Sequence, residues 1–342
     1  MKQSSRRIFL KEATMLATSS WVATRGVLAK DLPASKPKRL APRSVKDLIP
    51  ALRGVHNLQI TPFLPNRDFD AEGLRKNIAF HADLNVAENM TIVVGAGLGE
   101  FFSLDPDEQN ALALAAVAGA RGKMPVVVGV GGGYGLALRH ARNAQMAGAD
   151  GILLFSHAGE TFEGTYEYFL NVARSVDIGV ILYPRGKNSY WPDVIRRVAE
   201  LPNVVGFMDS SGELAMGKAL GSLISDRFLW IAEGENHAVQ AWPEGARACA
   251  TTVASLVPRA CAEFCKHGLA GNLSGMNEVL KSRIEPAVKM RDLKPEYSVS
   301  AIKVALEALG RAGGPVRPPN LQVSPEEQRD IARMARKYSE EQ

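Results

Sequence analysis

Cysteine is scarce. Cys249, Cys261 and Cys265 are the only three in 342 residues, and so small and odd a number excludes the disulfide framework of a small secreted domain. Cys261 and Cys265 stand four apart on an expected helix, a spacing open to a metal-ligand pair or to two buried small hydrophobes. Long apolar runs are missing too. No stretch approaches the roughly 20 residues that a membrane-spanning helix needs. The glycine-rich Gly129-Val130-Gly131-Gly132-Gly133 is not a G-x-G-x-x-G followed by a suitable acid, so the usual dinucleotide fingerprint is absent. An excess of one charge is also lacking in most of the chain. The formal net charge is +5, but the first 29 residues, with five basic side chains against Glu12, hold +4 of it. The remaining chain is close to neutral, which removes the case for a nucleic-acid partner.

What is present begins with a leader. Ser5-Arg6-Arg7-Ile8-Phe9-Leu10-Lys11 resembles a twin-arginine export signal. A short, weakly apolar stretch follows at 13–23, and then small residues suited to a peptidase at Val27-Leu28-Ala29. Residues 1–29 are read as a signal peptide directing the chain to the periplasm, and the Pro- and Lys-containing residues 30–50 as a linker.

Short β-branched runs then recur at 55–60, 91–95, 125–130, 151–155, 179–183, 204–208, 229–232 and 248–253. Stretches of helical period lie between most of them, at 72–84, 109–120, 136–147, 165–176, 191–201 and 216–224. Eight apolar strands alternating with helices imply a parallel sheet covered on both faces. Eight units in about 200 residues fit a closed (β/α)8 barrel, an α/β TIM barrel, over 51–257. Residues 258–342 read as a C-terminal helical extension, whose last helix opens on the capping residues Ser324-Pro325-Glu326-Glu327.

Barrel chemistry sits where strands end. The turn Gly97-Leu98-Gly99-Glu100 can offer backbone N–H groups to a carboxylate, or can be a tight strand-to-helix turn. Tyr183 closes the fifth strand, where a phenol can relay protons or be a core residue with a satisfied hydroxyl. His157 follows the fourth strand and Lys187 the fifth. Asp209, Glu233, Glu235 and His237, with His157, have the chemistry of a divalent metal site. The readier reading is of rim residues that are solvated or paired with Arg185 and Lys187.

Residues 51–335 resemble the dihydrodipicolinate synthase / N-acetylneuraminate lyase family. Gln59-Ile60-Thr61-Pro62-Phe63 is similar to its first strand, and Gly97-Leu98-Gly99-Glu100 occupies its G-T-T-G-E loop. Gly99-Glu100-Phe101-Phe102-Ser103-Leu104 is most like the 5-dehydro-4-deoxyglucarate dehydratase branch. Ile181-Leu182-Tyr183 matches the strand of the catalytic tyrosine, and Gly313-Gly314-Pro315-Val316-Arg317-Pro318-Pro319 the C-terminal signature. The resemblance implies a 2-keto acid or sugar acid as ligand, no cofactor, and a homo-oligomer (dimer or tetramer) without nucleic-acid or membrane partners.

It also implies a strand-six lysine that forms an imine with the substrate, but that segment here reads Gly206-Phe207-Met208-Asp209. A thioether cannot form an imine. The threonines expected in the loop are replaced by Gly97 and Leu98, and the family's second tyrosine aligns roughly with His157. Three expectations follow. The first is a lyase, aldolase or dehydratase, acting on a keto acid, sugar acid or oxidised sugar. In it Tyr183 and His157 serve as acid and base, Gly97, Leu98, Gly99, Glu100, Lys187 and Met208 line the substrate, and a divalent metal or an oxyanion hole stands in for the imine. The second is an imine-forming aldolase using Lys187. The third is a non-catalytic periplasmic binder of a small carboxylate or sugar.

Overall fold

The computed structural model describes residues 42–86, 89–156, 161–185 and 191–340. The leader, His157 and Lys187 lie outside the described residues. The eight strands are β1 (Gly54–Leu58), β2 (Met90–Val94), β3 (Val126–Val130), β4 (Gly151–Phe155), β5 (Gly179–Tyr183), β6 (Val204–Asp209), β7 (Leu229–Glu233) and β8 (Ala248–Thr251). They pair in parallel, each with the next, and β8 returns to β1, so the sheet is a closed barrel. No helix of the described residues is long and apolar enough to cross a membrane.

Side chains alternate across this sheet and divide the core in two. Leu58, Val93, Val127, Leu153, Ile181, Val205 and Ile231 belong to the interior of the barrel. Their neighbours, among them Ile92, Val128, Ile152, Leu154, Val180 and Leu182, belong to the layer under the helices. Burial on both faces explains why the strands read as continuous apolar runs.

A helix at Val45–Ala51 (α1) occupies the end of the segment expected to be a linker and runs one residue beyond it. Ser44 caps it, accepting from Asp47 N. Leu48, Ile49 and Leu52 join the interior cluster of the barrel, so α1 plugs the end where the strands begin. The buried ring of His56 donates from Nε2 to the Leu52 carbonyl at 2.7 Å.

The boundary at 258 also needs correction. The helix Pro258–Leu269 packs against β1 and covers it as the last helix of the barrel ring, so the extension begins after residue 269. There the helices Leu273–Val279, Glu285–Arg291 and Ser300–Ala308 are followed by Pro325–Glu340. Ser324 Oγ donates to Glu327 at 2.6 Å at the start of the last.

Candidate active site

The loop after β2 is held from two sides. Thr61 Oγ1 donates to the Gly99 carbonyl at 2.6 Å. Glu100 takes a left-handed backbone, with φ 56°, which a non-glycine residue adopts only under firm restraint. Lys303 Nζ lies 2.6 Å from its Oε1, and both side chains are 0% exposed. Its Oε2 accepts from Arg317 N at 2.9 Å and from Asn320 Nδ2 at 3.2 Å. Arg317 in turn forks onto Glu108, at 2.6 and 2.7 Å. The expectation that Glu100 meets substrate therefore does not hold, because its carboxylate is sealed against the C-terminal signature. Gly99 is buried, and Gly97 and Leu98 are both half-buried, Leu98 against the core.

Strands five to seven build a different rim. Leu182 pairs with Phe207 across β5 and β6, so Tyr183 and Met208 follow at matching height. Both are in the barrel-interior cluster, 4% and 1% exposed, beside Phe155. The Phe155 and Tyr183 rings are 5.3 Å apart. Met208 is level with Ile231 of β7, and the next inward position on that strand is Glu233. Tyr183 Oη donates to Glu233 Oε2 at 2.5 Å, and Ser210 also hydrogen-bonds the phenol.

Burial first, and then the Glu233 charge, push the Tyr183 hydroxyl to a higher pKa. Burial likewise raises Glu233 above the ordinary carboxylate range; the Tyr183 hydrogen bond, Arg185 and Arg291 oppose that shift and Asp209 adds to it. The exposed Arg185 guanidinium lies 5.7 Å over the Tyr183 ring, and its backbone N donates to Ser156 Oγ at 2.9 Å. A Cβ placed on Gly97 would come within 3.0 Å of Arg185 Nη1, so the β2 loop and the Arg185 guanidinium meet at this point.

The expected metal ligands do not converge. Among the described residues no group of three or more His, Cys, Asp or Glu side chains could hold a metal ion. Glu233 is engaged by Tyr183. Glu235 accepts from Thr251 Oγ1 and from Arg291 Nη1. Asp209 accepts from Ser211 N at 3.0 Å, and its other oxygen is 3.9 Å from buried His237. Because Met208 points inward, its neighbour Asp209 is turned toward the helix layer. Cys249, Cys261 and Cys265 are free and buried, which matches the small-hydrophobe alternative.

The sequence marks Arg185 only as a partner for rim acids. Its approach to the Tyr183 ring depends on how the strands stand around the barrel, which spacing does not encode.

Fold and rim together define a (β/α)8 barrel with an acid, a phenol and a guanidinium gathered where strands five to seven end. The chain belongs to the dihydrodipicolinate synthetase family, whose model matches residues 51–338. It is 32% identical over 285 residues to a probable 5-dehydro-4-deoxyglucarate dehydratase of Acinetobacter baumannii (strain AB307-0294), covering 82% of this chain and 93% of that one. A protein of the same description from Chelativorans sp. (strain BNC1) is 32% identical over 294 residues, covering 84% and 96%. Among solved structures, the dihydrodipicolinate synthase of Aquifex aeolicus superposes with a TM-score of 0.75 at 25% identity, over 84% of this chain and 98% of that one.

Proposed function

We propose that this protein is a lyase acting on a sugar acid or a related keto acid, and that it works without an imine on strand six. The observation that carries this reading is the Tyr183 phenol, held at the mouth between Glu233 and Ser210 in a chain whose relatives are described as sugar-acid dehydratases. Met208, 1% exposed, gives the floor of the site an apolar surface in place of an amine. Arg185 is the cation that meets the substrate carboxylate, and Gly97 leaves it space. Tyr183 moves a proton to or from the reacting oxygen, with His157 as a further acid or base.

The test is incubation with 5-dehydro-4-deoxyglucarate and a panel of aldaric and 2-keto acids, following loss of water or carbon–carbon cleavage by NMR. Tyr183→Phe should lower turnover at least about hundredfold, the usual contribution of a positioned proton donor. Binding without turnover of any panel member would replace this reading by the second one, a non-catalytic binder, which the burial of Met208 and Phe155 favours. A borohydride-trapped adduct on Lys187 would restore imine chemistry. The twin-arginine pattern supports export of the protein to the periplasm. Arg6→Lys with Arg7→Lys should retain the precursor in the cytoplasm on fractionation, and undiminished periplasmic protein would reject the export reading.

A further inference from the structure

Four acidic residues stand at or near the barrel mouth; two are paired with cations and a third is turned toward the helix layer. Glu100 is sealed against Lys303. Glu235, 3% exposed, is engaged by Thr251 and Arg291. Asp209 is turned toward His237 and accepts from Ser211. Glu233 alone of these is half-buried, at the inward position following the one level with Met208, and its contact is with a group that can itself carry a proton. From this placement we infer that Glu233 is the catalytic base of the lyase, acting on a substrate whose carbonyl stays free because Met208 offers no amine to form an imine. The inference rests on the lyase reading above.

The step balances within the substrate. The Glu233 carboxylate takes the proton from the carbon beside the carbonyl, and the C–H electron pair moves toward that carbonyl, leaving a negative oxygen. A protonated Glu233 is a poorer acceptor, so the Tyr183 O–H is released to donate to the oxygen. As the carbonyl re-forms, the carbon–carbon double bond is made and the bond to the hydroxyl on the next carbon breaks. That hydroxyl leaves as water with the proton held by Glu233. Nothing is oxidised or reduced, and one carboxyl serves as base and then acid.

The experiment compares wild type with Glu233→Gln and Glu233→Asp. Probes are pyruvate, D-glucarate and 5-dehydro-4-deoxyglucarate in D2O. NMR follows binding, C–H exchange and water loss, and circular dichroism checks folding. Glu233→Gln is expected to bind the same probe while losing exchange and elimination at least about hundredfold, with partial recovery in Glu233→Asp. The wild-type rate should rise with pH along a limb absent from Glu233→Gln. The groups facing Glu233 that set this limb are Tyr183, Arg185, Asp209 and Arg291, with Ser210 on the phenol. Exchange within about threefold of wild type in a folded Glu233→Gln would overturn the role of Glu233 and leave the lyase reading standing. Failure of wild type to exchange or eliminate any probe would instead remove the lyase reading, and this inference with it.

Discussion

Two carboxylates at the mouth of one barrel have opposite surroundings. Glu100, after β2, meets an ammonium, a backbone N–H and an amide, all from the C-terminal segment 303–320. Glu233, at the end of β7, meets one phenol, with its nearest cations acting through space. A fully paired acid fixes a loop. An under-compensated one has its proton affinity raised and can exchange a proton. The difference separates a residue that builds the site from one positioned to act in it.

The largest expected effect breaks the first environment. Lys303→Met leaves the buried Glu100 charge without its ammonium, which should cost about 3–5 kcal/mol, a large part of a typical net stability of about 5–15 kcal/mol. A urea titration checks this, and adding Glu100→Gln should recover much of the loss.

The next effect is at the opposite end of the barrel. Burial lowers the His56 pKa to about 4 from 6.5. The unfolded chain therefore binds a proton there before the folded chain does, and stability is lost as pH falls from 6.5 toward 4. At about 1.4 kcal/mol per pH unit this amounts to roughly 3 kcal/mol. His56→Gln should flatten the acid limb of the unfolding midpoint against pH by about that amount, and an unchanged limb would show that His56 does not govern it.

The smallest effect sharpens the comparison. Glu233 has a raised pKa in the folded chain, so its contribution to stability is present below the unfolded value and is lost as pH rises through the folded one. Glu233→Gln should thus gain in melting temperature relative to wild type as pH rises above 4.5. A melting difference independent of pH would show that burial does not raise the proton affinity of Glu233.

Much of the barrel was legible in the sequence because strands buried on both faces are written as β-branched runs, and Tyr183 because it closes one of them. The helix α1 was not. It is seven residues long, contains Pro50 and follows a Pro- and Lys-bearing stretch, so no periodicity marks it. The helix Pro258–Leu269 was legible as a helix, but its pattern cannot say which layer it joins. Glu233 read as a loop residue because the apolar run ends at Ala232, yet it is the last residue of β7. Its pairing with Tyr183 spans fifty positions and is fixed by strand stagger. Glu100 looked like a binding residue because its partners arrive from residues 303–320.

The β1·β8 pairing sets Gly54 beside Ala248 and Asn57 beside Thr251, which makes the barrel's closure the longest-range strand pairing of the sheet. Until β8 emerges during synthesis, β1 and the latest strand are both open edges, able to pair with a foreign strand. Closing so long a loop is slow compared with forming local helices. A chain truncated before residue 248 should then be an aggregation-prone open sheet, and the nascent protein has most need of a chaperone just before its last strand is complete.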